Sequence, residues 1–193
     1  DKGACGVDGL IAVALSSEGS VYNVGAVAAG VTDSGLAQAD TIFAAYNGQG
    51  QFRKPLKNLR VIANLYPESL HVVVRRGAGI ARMRDLVGKR VSLDVPGSGT
   101  RGNAEGVLEA YGVNVRQLKL QEADPAVSAD LLLQGELDAF FFVAGYPAQI
   151  VQDLAQQQAI DLLSIAGPEA DRIVKRQRFF ARDAIPEGSY PSI

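Results

Sequence analysis

The sequence predicts an α/β fold arranged as two lobes. Short apolar runs alternate along the chain with amphipathic segments, which is the pattern of strands that each lead into a packing helix. The apolar fraction is 47% and the charged fraction is 21%, both typical of a globular protein. A chain of 193 residues can bury a real core in one or two domains.

The first lobe is predicted to cover residues 1–73, joined by a return segment at 181–193. Its strands are predicted at 10–15, 34–38 and 59–65 because these runs are short and apolar. One helix is predicted at 20–29, where valines recur on one face and Gly30 follows as a stop, and a second at 41–46 with Asp40 as its cap.

The second lobe is predicted to cover residues 74–180. A strand predicted at 70–75 ends the first lobe at this boundary, and the strands of the second lobe are predicted at 90–95, 115–120, 139–143 and 162–165. Helices are predicted at 100–111, from Asp124-Pro125 to Gly135, at 147–158 and at 169–176, and an extended run at 179–184. The run 139–143 is apolar throughout, which predicts a central strand buried on both faces.

Charge and composition exclude several classes of function. The formal net charge is −2, so no basic excess exists to bind nucleic acid. No stretch is long and apolar enough for membrane insertion, and no signal peptide opens the chain. Cys5 and His71 are the only residues of their kinds, so we expect no internal disulfide, no metal site and no cofactor. His71 lies in an apolar strand pattern and is predicted to be structural or solvent-facing.

The strongest local motif is the turn Pro96-Gly97-Ser98-Gly99-Thr100, followed by Arg101. A glycine-rich turn between a strand and a helix can aim free backbone amides at an anion, and the helix dipole favours negative charge there. The hydroxyls and the Arg101 guanidinium could add contacts to a carboxylate. A tight turn in which Ser98 or Thr100 merely caps the helix fits the sequence equally well. The turn has neither the Walker ending nor the third glycine of a dinucleotide site.

A second turn of this kind, 16–20, also stands between a predicted strand and a predicted helix. Alone, it is better explained as a cap by Ser20. As a pair, the two turns could close on one ligand from opposite lobes. Polar residues at the strand end 36–40 and the Gly-Tyr-Pro turn at 145–147 fit the same place, although ordinary loops explain them too.

Several ordered motifs resemble the TAXI solute receptors, the extracytoplasmic binding components of one class of TRAP transporters. They are Gly19-Ser20-Val21-Tyr22-Asn23, Leu36-Ala37-Gln38-Ala39-Asp40, Ala45-Tyr46-Asn47-Gly48, the turn from Pro96 to Arg101, and Gly145-Tyr146-Pro147. The resemblance runs from about Leu10 to Tyr190. It implies a type II periplasmic-binding-protein fold, in which a hinge joins two α/β lobes and a ligand is clamped between them. It also implies a periplasmic or otherwise extracytoplasmic location and membrane permease subunits as partners.

The resemblance implies small organic anions as ligands, acidic amino acids such as glutamate or dicarboxylates among them. The implied contacts are Ser17, Ser20, Gln38 and Tyr46 from the first lobe, and Ser98, Thr100, Arg101 and Tyr146 from the second, with backbone help from Gly97, Gly99 and Gly145. The chain departs from the family at Glu18, usually Gly, and at Ala39, commonly Ser. It is also shorter than family members at both ends, which leads us to expect a fragment or a reduced form.

Two other functions remain open on the sequence. The binding domain could serve a membrane signalling receptor instead of a transporter. An enzyme on a similar fold could use carboxylates such as Glu18, Asp40, Glu68 and Asp94, but no spacing pairs them and no nucleophile with a base emerges. The sequence therefore favours a receptor that is not an enzyme.

Overall fold

The computed structural model of the chain describes Val7 and residues 9–193, so the single cysteine, Cys5, lies outside the described residues. The helices are α1 (Ser20–Ala28), α2 (Ala39–Asn47), α3 (Gly99–Ala110), α4 (Pro125–Leu133), α5 (Gln149–Gln156) and α6 (Pro168–Arg176). The strands are β1 (Ser69–Arg75), β2 (Arg90–Ser92), β3 (Lys119–Gln121), β4 (Ala139–Ala144) and β5 (Ile160–Leu162). Short 3-10 turns occupy Met83–Leu86 and Val115–Gln117. No helix among the residues described is long and apolar enough to cross a bilayer.

The strands form one mixed sheet in the order β3-β2-β4-β1-β5. The strand β2 runs parallel to β3 and β4, whereas β1 lies antiparallel to both of its neighbours, β4 and β5. Register places His71 opposite Phe142 and Val73 opposite Phe140. The predicted α/β class is confirmed, and so is the central, buried position of β4.

The core lies on both faces of this sheet. One face packs Val72 and Phe141 with apolar residues of α3 and α6. The other packs Val73 and Phe140 with residues of α4 and α5 and with Tyr190 from the return segment. Successive residues of a strand point to opposite faces, and this alternation explains why consecutive β4 residues enter different cores.

In residues 74–180, the capping residues and glycine stops of the sequence predicted the positions of the helices well. Asp124 caps α4 by accepting a hydrogen bond from the amide of Val127 at 2.9 Å, with proline at the first helical position. Gly135 follows with a φ of 74°. For α2, the predicted cap is wrong: the capping position is Gln38, and Asp40 lies within the first turn.

Three strands predicted within residues 1–73 are wrong. The runs 10–15, 34–38 and 59–65 form no strand, and neither does the run 179–184. Ile11 and Ile62 are 90% and 87% exposed. A strand is stable only with a hydrogen-bonded neighbour, and the residues described supply none to these runs. The predicted lobe boundary at 73/74 falls inside β1 and stays a prediction.

One substitution at a buried residue and one at an exposed residue test the difference in packing between the sheet and the exposed run 59–65. Replacing the fully buried Phe140 with alanine should lower the free energy of unfolding by about 3–5 kcal/mol because it opens a cavity in a close-packed core. The control, Ile62→Ala, should change it by less than about 0.5 kcal/mol. Urea unfolding followed by circular dichroism measures both. A large loss in Ile62→Ala would show that the run 59–65 is packed after all.

Candidate functional site

The N-terminus of α3 is built by the predicted glycine turn. After β2 the chain turns through Gly97, with a φ of 94°, and α3 begins at Gly99. Ser98 is the cap: its Oγ accepts a hydrogen bond from the amide of Arg101 at 3.3 Å. The capping interpretation of the turn is therefore present in the structure. The anion-binding interpretation stays a prediction, and the donors it would use are the amides of the first helical residues, Gly99 and Thr100, both of which are buried.

Asp94 lies under this turn as a built-in anion. Its Oδ2 accepts from the Ser98 hydroxyl at 2.7 Å, and its Oδ1 accepts from the Val95 amide at 2.7 Å. Asp94 is buried with a φ of 75°, and burial raises the pKa of its carboxyl. The hydroxyl proton of Ser98 is thus bonded to Asp94 and does not face a ligand.

The backbone donors of the turn remain. Thr100 Oγ1 accepts from the Val143 amide at 3.3 Å, so both hydroxyls of the turn have partners inside the protein. The amides of Gly99 and Thr100, in contrast, find no acceptor within the described part of the chain. The predicted anion cradle is therefore reduced to backbone amides and the helix dipole.

The N-terminus of α1 lies directly on the same turn. The amide of Val21 donates to the carbonyl of Gly97 at 3.0 Å, and Ser17 Oγ accepts from the amide of Gly19 at 3.3 Å. A Cβ on Gly19 would lie 3.2 Å from the Cα of Ser98. The two turns paired by sequence are thus in contact.

Polar side chains fill the space between these helix starts. Ser20 Oγ accepts from the amide of Gln38 at 3.1 Å, and Gln38 Oε1 accepts from Asn103 Nδ2 at 2.9 Å. A Cβ on Gly99 would approach Gln38 Oε1 to 2.3 Å and Ser20 Oγ to 2.9 Å. Sequence reasoning missed Asn103; the available signal was its place one helical turn after Gly99, on the face that carries the turn.

The surroundings are acidic. Burial raises the pKa of Glu68, with a smaller contribution from the charge of Asp40. Burial likewise raises the pKa of Asp40. The carboxylate of Glu18 is close to Gly97, with its Oε2 3.6 Å from where a Cβ would stand. With Asp94, these carboxyl groups make a positive group on a ligand more favourable than a second negative one.

Arg101, predicted to bind a ligand carboxylate, is engaged elsewhere. Its Nη1 donates to Glu122 at 2.7 Å and its Nε to Glu105 at 3.2 Å. Hydrogen bonding to Glu122 first, and to Glu105, raises its pKa. Two carboxylates already neutralise this guanidinium, so little charge is left for a ligand.

The two predicted tyrosines differ in position. Tyr146 and Gly145 follow β4, whose Val143 amide reaches Thr100, and the Tyr146 hydroxyl donates to Asp183 at 3.4 Å. Tyr46 is at the far end of α2 from Gln38, under the ammonium of Lys57 at 3.9 Å from the ring centroid. At a rise of about 1.5 Å per residue the separation is roughly 12 Å along the helix. The structure therefore separates Tyr46 from the other predicted contacts.

The remaining predicted residues share one place around the start of α3. They are Ser17, Ser20, Gln38, Gly97, Ser98, Gly99, Thr100 and Arg101, with Gly145 and Tyr146 at the end of the neighbouring strand. Within the described ranges, no group of three metal-ligating side chains comes together. His71, predicted to be structural or solvent-facing, is buried within the sheet and does not face solvent.

The close approach at Gly99 can be tested with a second glycine of the same helix. Gly99→Ala should destabilise the protein by about 1–3 kcal/mol because the new methyl group displaces Gln38 and Ser20. Gly102→Ala, which meets nothing within 4 Å, should be neutral or stabilising by about 0.5–1 kcal/mol. Thermal unfolding of both variants gives the comparison. Equal effects would mean that the helix starts do not meet.

The chain is similar to the alkanesulfonate-binding protein SsuA from Xanthomonas axonopodis pv. citri bound to MOPS, with 19% identity and a TM-score of 0.51, covering 78% of this chain and 48% of that one. It is also similar to the periplasmic aliphatic sulphonate binding protein SsuA from Escherichia coli, with 16% identity and a TM-score of 0.44, covering 57% and 42%. The chain thus spans less than half the length of these solved structures.

The likeness to the Xanthomonas protein shows the fold, and it agrees with the predicted periplasmic-binding-protein architecture. The sequence itself matches the NMT1-like family over residues 6–192, which is nearly its whole length. The chain therefore belongs to the NMT1-like family.

Proposed function

We propose that the chain is an extracytoplasmic solute receptor that binds a small organic acid at the start of α3. The observation that carries the proposal is the meeting of the α1 and α3 N-termini at Gly97 and Gly99, where backbone amides of α3 are free. Such amides, with the helix dipole behind them, favour a carboxylate.

The ligand is an acidic amino acid such as glutamate rather than a dicarboxylate without an amine. One of its carboxylates would take the amides of Gly99 and Thr100. Its ammonium would lie against the acidic groups, of which Asp94 is the most buried. A dicarboxylate such as succinate carries the same two negative charges but no ammonium to offset one of them beside Glu18, Asp40 and Glu68, with Arg101 already neutralised.

Binding would work by lobe closure. Ser20 and Gln38 come from the first part of the chain, and Gly99 and Asn103 from the second. A ligand that touches both parts shifts the balance between open and closed arrangements by its preference for the closed one. The hinge would lie near 70–74 and 179–184, where the chain passes between the predicted lobes.

The partners would be the membrane permease subunits of a TRAP-type transporter, which take the solute from the receptor. The support is the ordered set of motifs that resembles the TAXI receptors, from Gly19 to Pro147. The similar SsuA proteins bind sulfonates, and that from Methylobacillus flagellatus is described as part of a putative ABC transporter (21% identity, TM-score 0.42, covering 49% of this chain and 27% of that one). An alkanesulfonate therefore belongs among the ligands tested.

A thermal-shift panel tests the proposed ligand class. Glutamate at a hundredfold excess over its dissociation constant should stabilise the protein by about 2.7 kcal/mol, roughly 5–10 °C for a chain of this size. Succinate and an alkanesulfonate, which lack the ammonium, should give smaller shifts, and glutamine, which keeps the ammonium and one carboxylate, shows whether the second carboxylate contributes. Stabilisation by the sulfonate alone would replace the ligand class, and no shift with any of them would reject the receptor.

Charge selection can be tested at Asp94. Asp94→Asn should weaken glutamate binding at least about tenfold, because the ligand ammonium loses a desolvated partner, while succinate binding stays equal or improves. The control, Asp153→Asn, removes an exposed carboxylate of α5 and should change neither affinity. Calorimetric titration measures both ligands. Equal losses for glutamate and succinate would contradict a charge-selecting role.

A further inference from the structure

The return segment meets β1 and the loop after β4 at one junction. On β1, the Ser69 hydroxyl donates to the carboxylate of Asp183, and His71 Nε2 lies 2.7 Å from the hydroxyl of Tyr190. The same two residues of the return segment reach the loop, since Asp183 accepts from Tyr146 and Tyr190 accepts from the Ala148 amide at 3.0 Å. The junction therefore ties three separate stretches of chain together.

The hydrogen bonds at His71 have a fixed direction. Its Nδ1 lies 3.0 Å from the carbonyl oxygen of Ser69, which can only accept, so Nδ1 carries the proton. In the neutral ring Nε2 is then the acceptor, and Tyr190 donates to it. The Tyr190 oxygen in turn accepts from Ala148. The three residues form one directed chain, named here the clasp: His71, Tyr190 and Ala148.

The clasp is shielded from water and from countercharge. His71 and Tyr190 are 1% and 3% exposed. Phe142 covers the imidazole, with ring centroids 6.1 Å apart, and α4 and α5 contribute apolar side chains around Tyr190. Asp183 belongs to the same junction, but its carboxylate accepts hydrogen bonds from Ser69 and Tyr146 and not from the imidazole of His71. Burial lowers the pKa of His71 and raises that of Tyr190.

We propose that the clasp positions the Tyr146–Ala148 loop and releases it when His71 is protonated. A proton on Nε2 turns the acceptor of Tyr190 into a second donor, and the Ala148 amide is already a donor to the same hydroxyl oxygen. The Tyr190 proton then has no acceptor within the clasp, and a buried cation has no carboxylate in contact. Opening the clasp lets water solvate the protonated imidazole of His71.

The consequence for binding rests on the proposed function, because the loop carries the candidate ligand contacts Gly145 and Tyr146. When the clasp opens, the loop and the return segment lose their common anchor to β1. Glutamate affinity should then fall by about fivefold or more on acidification. The positions of the loop and of the imidazole are coupled whether or not a ligand is present.

The single histidine of the chain makes the test direct, because its ring signals in an NMR spectrum need no assignment. The imidazole should titrate with a midpoint below its ordinary value of 6.5. The amides of Tyr146 and Ala148 should shift with the same midpoint. In Tyr190→Phe, which keeps the ring but removes the hydroxyl, these amides should no longer follow the imidazole.

Stability gives a second readout. Because the folded pKa of His71 lies below the unfolded value of 6.5, the unfolded chain takes up the proton first. The stability contributed by the neutral ring is complete above about pH 6.5 and declines as the pH falls below it. His71→Gln, which has no titrating ring, should lack that decline in urea unfolding midpoints compared between about pH 7.5 and pH 5.5.

The clasp proposal would be overturned if the amides of Tyr146 and Ala148 did not shift with the midpoint of the imidazole. It would also be overturned if stability declined with falling pH as much in His71→Gln as in the wild type. If His71→Gln does not fold, the amide titrations of the wild type and Tyr190→Phe decide. Glutamate titrated at both pH values separates the two proposals. If glutamate binds at neither pH, the proposed ligand is refuted. The titration of the imidazole and of the loop amides then still tests the clasp.

Discussion

The structure depends on the insertion of β1 into the middle of the sheet. The strand is antiparallel to β4 and to β5, so its ladders join the two sides of the sheet. Its side chains alternate between the two cores, with Val72 on one face and Val73 on the other. The strand begins within residues 1–73 and pairs with two strands from residues 74–180.

An ion cluster fixes the end of this insertion. Asp138, just before β4, accepts from Arg75 at 3.0 Å and from Arg90 at 2.7 Å, and its Oδ2 accepts from the Arg90 backbone amide at 3.0 Å. Hydrogen bonds from Arg90 first hold the pKa of Asp138 well below its usual range. The cluster joins β1, β2 and β4 at one end of the sheet. Towards the other end of β4, the Val143 amide donates to the Thr100 hydroxyl oxygen.

The sequence predicted the elements whose signals are local. The helix α3 was found from its apolar spacing and its glycine turn, and α4 from the Asp124-Pro125 start. The runs 10–15 and 59–65 have strand composition, but a strand is made by its neighbour, and composition does not say whether one is present. The role of Tyr190 was out of reach for a similar reason, since it bonds to a histidine 119 residues away. Asp94 was predicted only as an available carboxylate, because nothing in the sequence shows that it accepts hydrogen bonds from the Ser98 hydroxyl and the Val95 amide.

The resident carboxylate at the start of α3 also explains how the turn can exist without a ligand. Two helix N-termini that meet bring like partial charges together, which is unfavourable unless an anion lies nearby. Asp94 supplies that anion from within the protein and accepts the hydroxyl hydrogen bond of Ser98. In the proposed binding mode, a ligand carboxylate would take the amides that Asp94 does not use, and a ligand amine would lie against Asp94 itself. The same residue that makes the turn stable therefore limits how much additional negative charge the turn can accept.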